Sequence, residues 1–315
     1  MPNIEPVVLF FLLGALAGVI RSDLKIPGVL YESLSIFLLL AIGLKGGVEL
    51  ARYPLLQVAL PALVVVGVSL LIPLVAYPVL RGIGRLPPAD AGSIAAHYGS
   101  VSVVTFSVGL AYLARLGQSA EGYMTVFLVL LEFPALVIGV LLARSGDRSA
   151  PWGRVLHEVF AGKSIVLLLG GLGIGWFAGP AGIAPLDQVF FDLFKGLLAL
   201  FLLEMGLVAS RRFGDLRRAG VFLIVFAIAL PLAAAGLGLV TGALLGLSIG
   251  GMTLLATLYA SASYIAAPAA MRIALPSANP ALSIGAALGI TFPFNLIVGI
   301  PLYYQAALHL SPGKG

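Results

Sequence analysis

Long apolar stretches run through this chain, and its polar residues fall in short clusters between them. The stretches at 58–80, 123–142, 189–209 and 221–247 each approach or exceed the ~20 residues needed to cross ~30 Å of hydrocarbon. Shorter apolar runs lie between them. The pattern predicts ten helices, at 5–21, 28–45, 54–81, 90–115, 121–144, 163–179, 188–210, 218–246, 249–273 and 281–309. The expected fold class is an all-α integral membrane protein, with lipid as its main solvent.

The landmarks of the first half return in the second. Leu12-Leu13-Gly14 recurs as Leu168-Leu169-Gly170, and Pro73 as Pro231. Phe133-Pro134 recurs as Phe292-Pro293, and Ser100-Val101-Ser102 as Ser261-Ala262-Ser263. The offsets are 156, 158, 159 and 161 residues, near half of the 315 in the chain. Order and spacing, more than identity, carry the repeat. In so apolar a chain it points to a secondary transporter with its site between two related halves. The expected division is a first five-helix repeat over 1–144, a cytoplasmic linker over 145–162, and a second, inverted five-helix repeat over 163–315.

Composition agrees with the membrane reading. Hydrophobic residues make up 60% and charged residues 10%, against roughly 25% charged in a soluble domain. A mean hydropathy of +1.11 leaves too little polar surface for solution. There is no cysteine, hence no disulfide framework and no thiolate metal site. The sequence pI of 9.6 reflects basic loops rather than a nucleic-acid partner, and none is expected. The start of the chain lacks the basic residues and cleavage site of a secretory signal, so the first run reads as a mature helix.

Charge sets the expected orientation. With the N-terminus outside, thirteen of the eighteen Lys and Arg residues fall on inner loops and four on outer segments. Lys195 lies within a helix. This bias places both termini outside and the 144–162 segment in the cytoplasm. Five helices per half then insert the second half upside down.

The fourth and ninth predicted helices carry small and hydroxylated residues in mid-span, around Tyr98-Gly99-Ser100-Val101-Ser102 and Tyr259-Ala260-Ser261-Ala262-Ser263. Glycine and serine let a backbone leave helical geometry, and Pro268 cannot donate a helical hydrogen bond. In hydrocarbon a broken helix is tolerated only where it lines a cavity or is buried in protein. Matched breaks in two halves therefore mark a binding site. The N-terminal end of a half-helix offers free N–H groups and roughly half a positive charge, which suits a small anion. Carbonyl and hydroxyl oxygens suit a sodium ion. The alternative is that these serines are helix-packing residues.

Other polar residues have two readings each. Glu132 is ionisable within a span and a functional candidate, or it binds a helix end or stays a neutral acid. Asn295 faces the site or makes an interhelical hydrogen bond. Lys45 and Glu204 hold matching places in the two halves and suggest a structural ion pair. Asp192 and Lys195, three apart on a helix, are expected to pair. His97 flanks the first break and reads as a hydrogen-bonded helix residue. The glycine-rich 170–175 stretch lacks a nucleotide-loop context and reads as a tight helix-packing face. No enzyme motif stands out.

Five segments carry a family resemblance. They are Ile42-Gly43-Leu44-Lys45-Gly46-Gly47 within 41–50, His97-Tyr98-Gly99-Ser100 within 96–102, Glu204-Met205-Gly206 within 202–209, Ser261-Ala262-Ser263-Tyr264 within 260–272, and Phe292-Pro293-Phe294-Asn295 within 291–301. Together they resemble the sodium-dependent bicarbonate transporters first known from cyanobacteria. The resemblance implies sodium-coupled bicarbonate uptake across the plasma (inner) membrane, with Na+ as coupling ion, by a homotrimer with ten helices in two inverted repeats. It places the substrate near the broken helices, matching Ser100, Ser102, Ser261 and Ser263. Candidate bicarbonate residues are then Gly99, Ser100, Val101, Ser102, Ala262 and Ser263. Candidate sodium residues are Tyr98, Thr105, Ser261, Ser263 and Asn295. Cyanobacterial members are shut by a PII-like cytoplasmic trimer that binds adenine nucleotides. The linker here is shorter than theirs, which weakens the inference of that regulatory partner.

Helices 3–5 and 8–10 hold the breaks and the mid-span polar groups, so they are expected to form a transport unit. Helices 1, 2, 6 and 7 would form the scaffold. The unit would move as an elevator, and rocking about a fixed site is equally compatible. The competing readings are a symporter of another small anion, a cation/proton antiporter and a membrane receptor. An antiporter usually needs an acidic residue beside the break, and neither break contains Asp or Glu.

Overall fold

The computed structural model describes residues 5–144, 153, 157 and 160–311, without the side chains of 212–219. Most of the expected 145–162 linker lies outside the described residues. So do Arg148, Arg154 and Lys314, and the side chains of Arg212, Arg217 and Arg218, all of which the charge asymmetry counts.

The described residues form helices and no strand. In chain order these are α1 (Pro6–Val19), α2 (Gly28–Leu50), α3 (Leu55–Ser69), α4 (Leu71–Gly82), α5 (Pro88–Gly99), α6 (Val103–Arg115), α7 (Met124–Leu131) and α8 (Pro134–Ala143). Then follow α9 (Lys163–Ile183), α10 (Gln188–Arg211), α11 (Gly220–Leu244), α12 (Ile249–Tyr259), α13 (Ala266–Ala274) and α14 (Pro280–Leu310). Among the described residues eight spans are long and apolar enough to cross a membrane, several of them built from two of these helices. The first and ninth segments expected from the sequence are shorter. The first is α1, with 14 residues. The ninth is interrupted between α12 and α13.

Local chemistry explains the ends. Pro88, Pro134 and Pro280 sit at the first helical position, where a missing N–H costs nothing. Ser248 and Asn279 cap α12 and α14 by accepting from Gly251 N at 3.0 Å and Ala281 N at 3.0 Å. The chain turns between α10 and α11 at Gly220, whose φ of 75° favours a residue without Cβ. In α14, π-helical turns at 287–291 and 295–299 flank Phe292-Pro293, where the proline leaves a carbonyl without its donor.

Several helix pairs approach at backbone contact, among them α5 with α8 at Gly92 and Gly139. In α1 against α10, a Cβ on Gly14 would strike the Leu203 carbonyl, and one on Gly206 the Phe11 carbonyl. In α2 against α9, Gly43 and Gly47 face Gly171 and Gly175. The packing expected of the 170–175 stretch is thus seen at Gly171 and Gly175. Gly170 and Gly173 meet nothing within 4 Å. Small-residue faces of this kind let membrane helices pack by van der Waals contact.

The α5–α6 span forms the centre. In its most apolar window 94% of residues are buried, against 22% in the span that begins with α9. The outer helices leave apolar side chains exposed, among them Leu56, Leu63 and Phe177. A helix buried on all sides is free to carry polar groups that need partners rather than solvent.

Candidate functional site

The two expected breaks are present. After Gly99 the chain becomes extended at Ser100 (φ −87°, ψ 168°) and Ser102 (φ −116°, ψ 113°) before α6 begins. Residues 260–265 separate α12 from α13. A serine hydroxyl meets the first turn of each second helix, from the N-cap in α6 and from two residues before it in α13. Ser102 Oγ accepts from Thr105 N at 3.2 Å, and Ser263 Oγ accepts from Ala267 N at 3.2 Å.

The breaks cross and bond to each other. Ser102 N donates to Ser261 Oγ at 2.9 Å, and Ser263 N donates to the His97 carbonyl at 2.8 Å. The hydroxyl of Ser261 turns back to the Leu258 carbonyl at 2.7 Å, and that of Ser100 reaches the Glu132 carbonyl at 2.7 Å. Asn295 Nδ2 donates to the Ala260 carbonyl at 2.8 Å, and its Oδ1 accepts from the Tyr303 hydroxyl at 2.8 Å. The Tyr98 hydroxyl meets Thr291 Oγ1 at 2.7 Å, and Thr291 donates to the Ala227 carbonyl. Tyr259, at the matching place in the second break, donates to the Val65 carbonyl at 2.6 Å. Several peptide groups freed by the breaks are thus satisfied inside the protein, as hydrocarbon favours.

A cavity of about 10 Å³ lies at the crossing, room for one water-sized body. It is lined by Val101, Ser102 and Ser263, with Val103, Glu132, Ser164, Tyr264 and Ile265. Of the candidate bicarbonate and sodium residues, only those first three line it. Tyr98, Gly99, Ser100, Thr105, Ser261, Ala262 and Asn295 are all buried but do not line it. Tyr98, Ser100, Ser261 and Asn295 hold the backbone around it through the bonds above.

Sequence reasoning missed Ser164 and Tyr264 as site residues. Ser164 lies at the start of α9 and carried no signal; Tyr264 stood in the second break, where its ring was legible but its direction was not. Glu132 was legible as an intramembrane acid. Its position beside both breaks comes from the α7–α8 junction, so the absence of Asp or Glu within the breaks does not leave the site without an acid. Glu132 is 2% exposed, and its Oε2 has no hydrogen-bond partner. The Tyr264 hydroxyl lies beside Ser102 without a partner in hydrogen-bond geometry.

A wider vestibule of about 550 Å³ shares Ser164, Tyr264 and Ile265 with the small cavity and extends to Lys163 and Arg272. These two basic residues belong to the side that charge asymmetry assigns to the cytoplasm. A separate cavity of about 140 Å³ holds Lys45 and Lys195 together with Ser107 and Ala114. The expected Lys45–Glu204 and Asp192–Lys195 pairs are not formed; the ion pairs among the described residues are Arg52–Glu49 and Arg115–Glu5. For the second pair the reason is local. Residues 188–192 wind as a π-helix and Leu193 bends, so three-residue spacing no longer means one face. Lys45 for its part faces a cavity shared with Lys195 rather than Glu204.

The family model of the Na+-dependent bicarbonate transporter superfamily matches residues 6–308. Comparison with curated proteins gives no match.

Proposed function

The chain belongs to the Na+-dependent bicarbonate transporter superfamily, and on that premise we propose that it imports bicarbonate by sodium symport across the plasma membrane. The observation that carries the reading is the crossing of two capped half-helices around one buried cavity. As the walls part, bicarbonate binds the backbone and hydroxyls of Gly99, Ser100, Val101, Ser102, Ala262 and Ser263. Sodium takes the oxygen of Ser263 in the cavity, and Tyr98, Thr105, Ser261 and Asn295 offer further oxygens once the walls part. In the state described here the cavity is smaller than bicarbonate, so the anion reaches it from the vestibule as the walls part.

Helices α3–α8 and α11–α14 move together as the transport unit. The glycine-tight pairs α1–α10 and α2–α9 form the scaffold, which also makes the trimer contact. Each pair joins one helix from either half, as two inverted repeats would require. At 100 mV one entering sodium ion supplies ~2.3 kcal/mol, about enough to offset one monovalent anion. Accumulation at 1:1 then draws on the sodium concentration gradient. Glu132 beside the breaks favours a second reading, cation/proton exchange on the same plan.

The test is uptake of labelled bicarbonate into proteoliposomes under an inward sodium gradient, with potassium as the control. Uptake should need sodium and fall at least tenfold in Ser102→Ala and Ser263→Ala. Folded, inserted protein that moves no bicarbonate, but shifts internal pH when sodium is added, would replace symport with exchange.

A further inference from the structure

We propose that Glu132 is the group that makes anion binding depend on sodium. The inference rests on the symport reading above and names the residue that couples the two ions. Its carboxylate stands at the crossing already, so an arriving anion needs a cation with it.

Three observations meet at this side chain. First, the carboxyl is buried in the small cavity beside Ser102, Ser164 and Ser263. Its own backbone is pinned there, because the Ser100 hydroxyl donates to the Glu132 carbonyl at 2.7 Å. Second, Glu132 Oε2 has no hydrogen-bond partner, and neither ion pair among the described residues includes it. A buried carboxylate left so is costly, and the cost falls when a ligand supplies the missing partner. Third, α6 and α13 both begin at this cavity, with Val103 and Ile265 in its wall.

Charge then decides what can enter. Each helix N-terminus carries roughly half a positive charge, and α9, which begins beside Ser164, adds to those of α6 and α13. The α7 C-terminus and the Glu132 carboxylate oppose them. Adding an anion beside that carboxylate puts two negative charges in a site walled off from water, where uncompensated charge is expensive. One sodium ion offsets the added charge. The carboxylate and the hydroxyls of Ser102, Ser164 and Ser263 are all oxygens, the donors a sodium ion takes. The cavity, near 10 Å³, has room for one such ion beside them.

Glu132→Gln keeps the shape and removes the negative charge. It should leave a more positive site that binds an anion without sodium. The measurement is the thermal stability of the purified protein titrated with choline bicarbonate, with and without sodium gluconate, and repeated with formate in place of bicarbonate. Ligand that binds the folded state raises its stability. In the unaltered protein sodium should lower the half-saturating anion concentration at least tenfold. In Glu132→Gln the sodium effect should shrink below twofold, while the anion alone stabilises. Ser164→Ala keeps the charge and removes one oxygen. There the sodium effect should persist but need severalfold more sodium. A tenfold sodium effect retained in Glu132→Gln would overturn the inference and mean that the group is held as a neutral acid. A sodium effect seen with formate and not with bicarbonate would overturn the substrate reading, and Glu132→Gln would still decide the coupling. No stabilisation of the unaltered protein by either anion in either salt would overturn both.

Discussion

Ser261 shows how little of a residue's task its type reveals. In the sequence it is one hydroxyl of a matched pair of triplets, and its reading as a sodium ligand or a packing residue was open. In the structure its oxygen accepts from Ser102 N across the two breaks while its proton goes to the Leu258 carbonyl. Ser261→Ala therefore leaves a buried N–H without its acceptor, at a cost of about 1–3 kcal/mol. Thermal unfolding in detergent should show a melting point lower by several degrees, with Ser261→Thr closer to the parent. Equal melting points for Ser261→Ala and the parent would remove this bond from the architecture of the crossing. Asn295 shows the same shift in meaning. Its amide was legible as a polar group in mid-span, and the structure has both of its ends engaged, by Ala260 and Tyr303.

At the scale of elements, the glycines separate helices that must touch from helices that need not. The 170–175 stretch was legible as a packing face, yet the sequence gives no means of choosing among its four glycines. Only the partner helix does so. A Cβ on Gly171 would come within 2.8 Å of the Leu40 carbonyl, which cannot swing aside, whereas one on Gly173 meets open space. Gly171→Ala should cost about 1–3 kcal/mol through overpacking, and Gly173→Ala close to nothing. Comparing the fraction of each variant that stays monodisperse after a heat step checks this. Equal losses would mean that the α2–α9 contact is looser than described. The unformed Asp192–Lys195 pair belongs to the same scale. Helical spacing is a rule about ideal helices, and a π-turn cancels it.

The whole molecule sets which cavity opens to which side. The vestibule beside Tyr264 reaches Lys163 and Arg272, while the cavity of Lys45 and Lys195 lies apart from it. The chain has no cysteine, so a single introduced thiol reports its own surroundings. Ala269 and Ala114 are both exposed, one in each cavity. With an impermeant maleimide, Ala269→Cys should react only from the cytoplasmic face and Ala114→Cys only from outside. Labelling of both from one face would overturn the inverted arrangement and the charge-based orientation together. If sodium and bicarbonate drive an elevator-type movement, their addition should slow labelling at Ala269→Cys severalfold.

The sequence by itself determined the solvent, the class and the place of the breaks. Apolar run length, charge placement and serine-rich interruptions are local properties, and hydrocarbon is intolerant enough of unpaired backbone to make them decisive. Only the tertiary structure decided what stands around the breaks. Glu132, Ser164 and Tyr264 come from three separate elements, and their meeting depends on how α7, α9 and the second break pack, which no spacing along one chain encodes. The division of labour among the serines was equally a matter of packing. A hydroxyl serves whichever freed peptide group the crossing brings within about 3 Å, and that distance is set by helices more than a hundred residues apart.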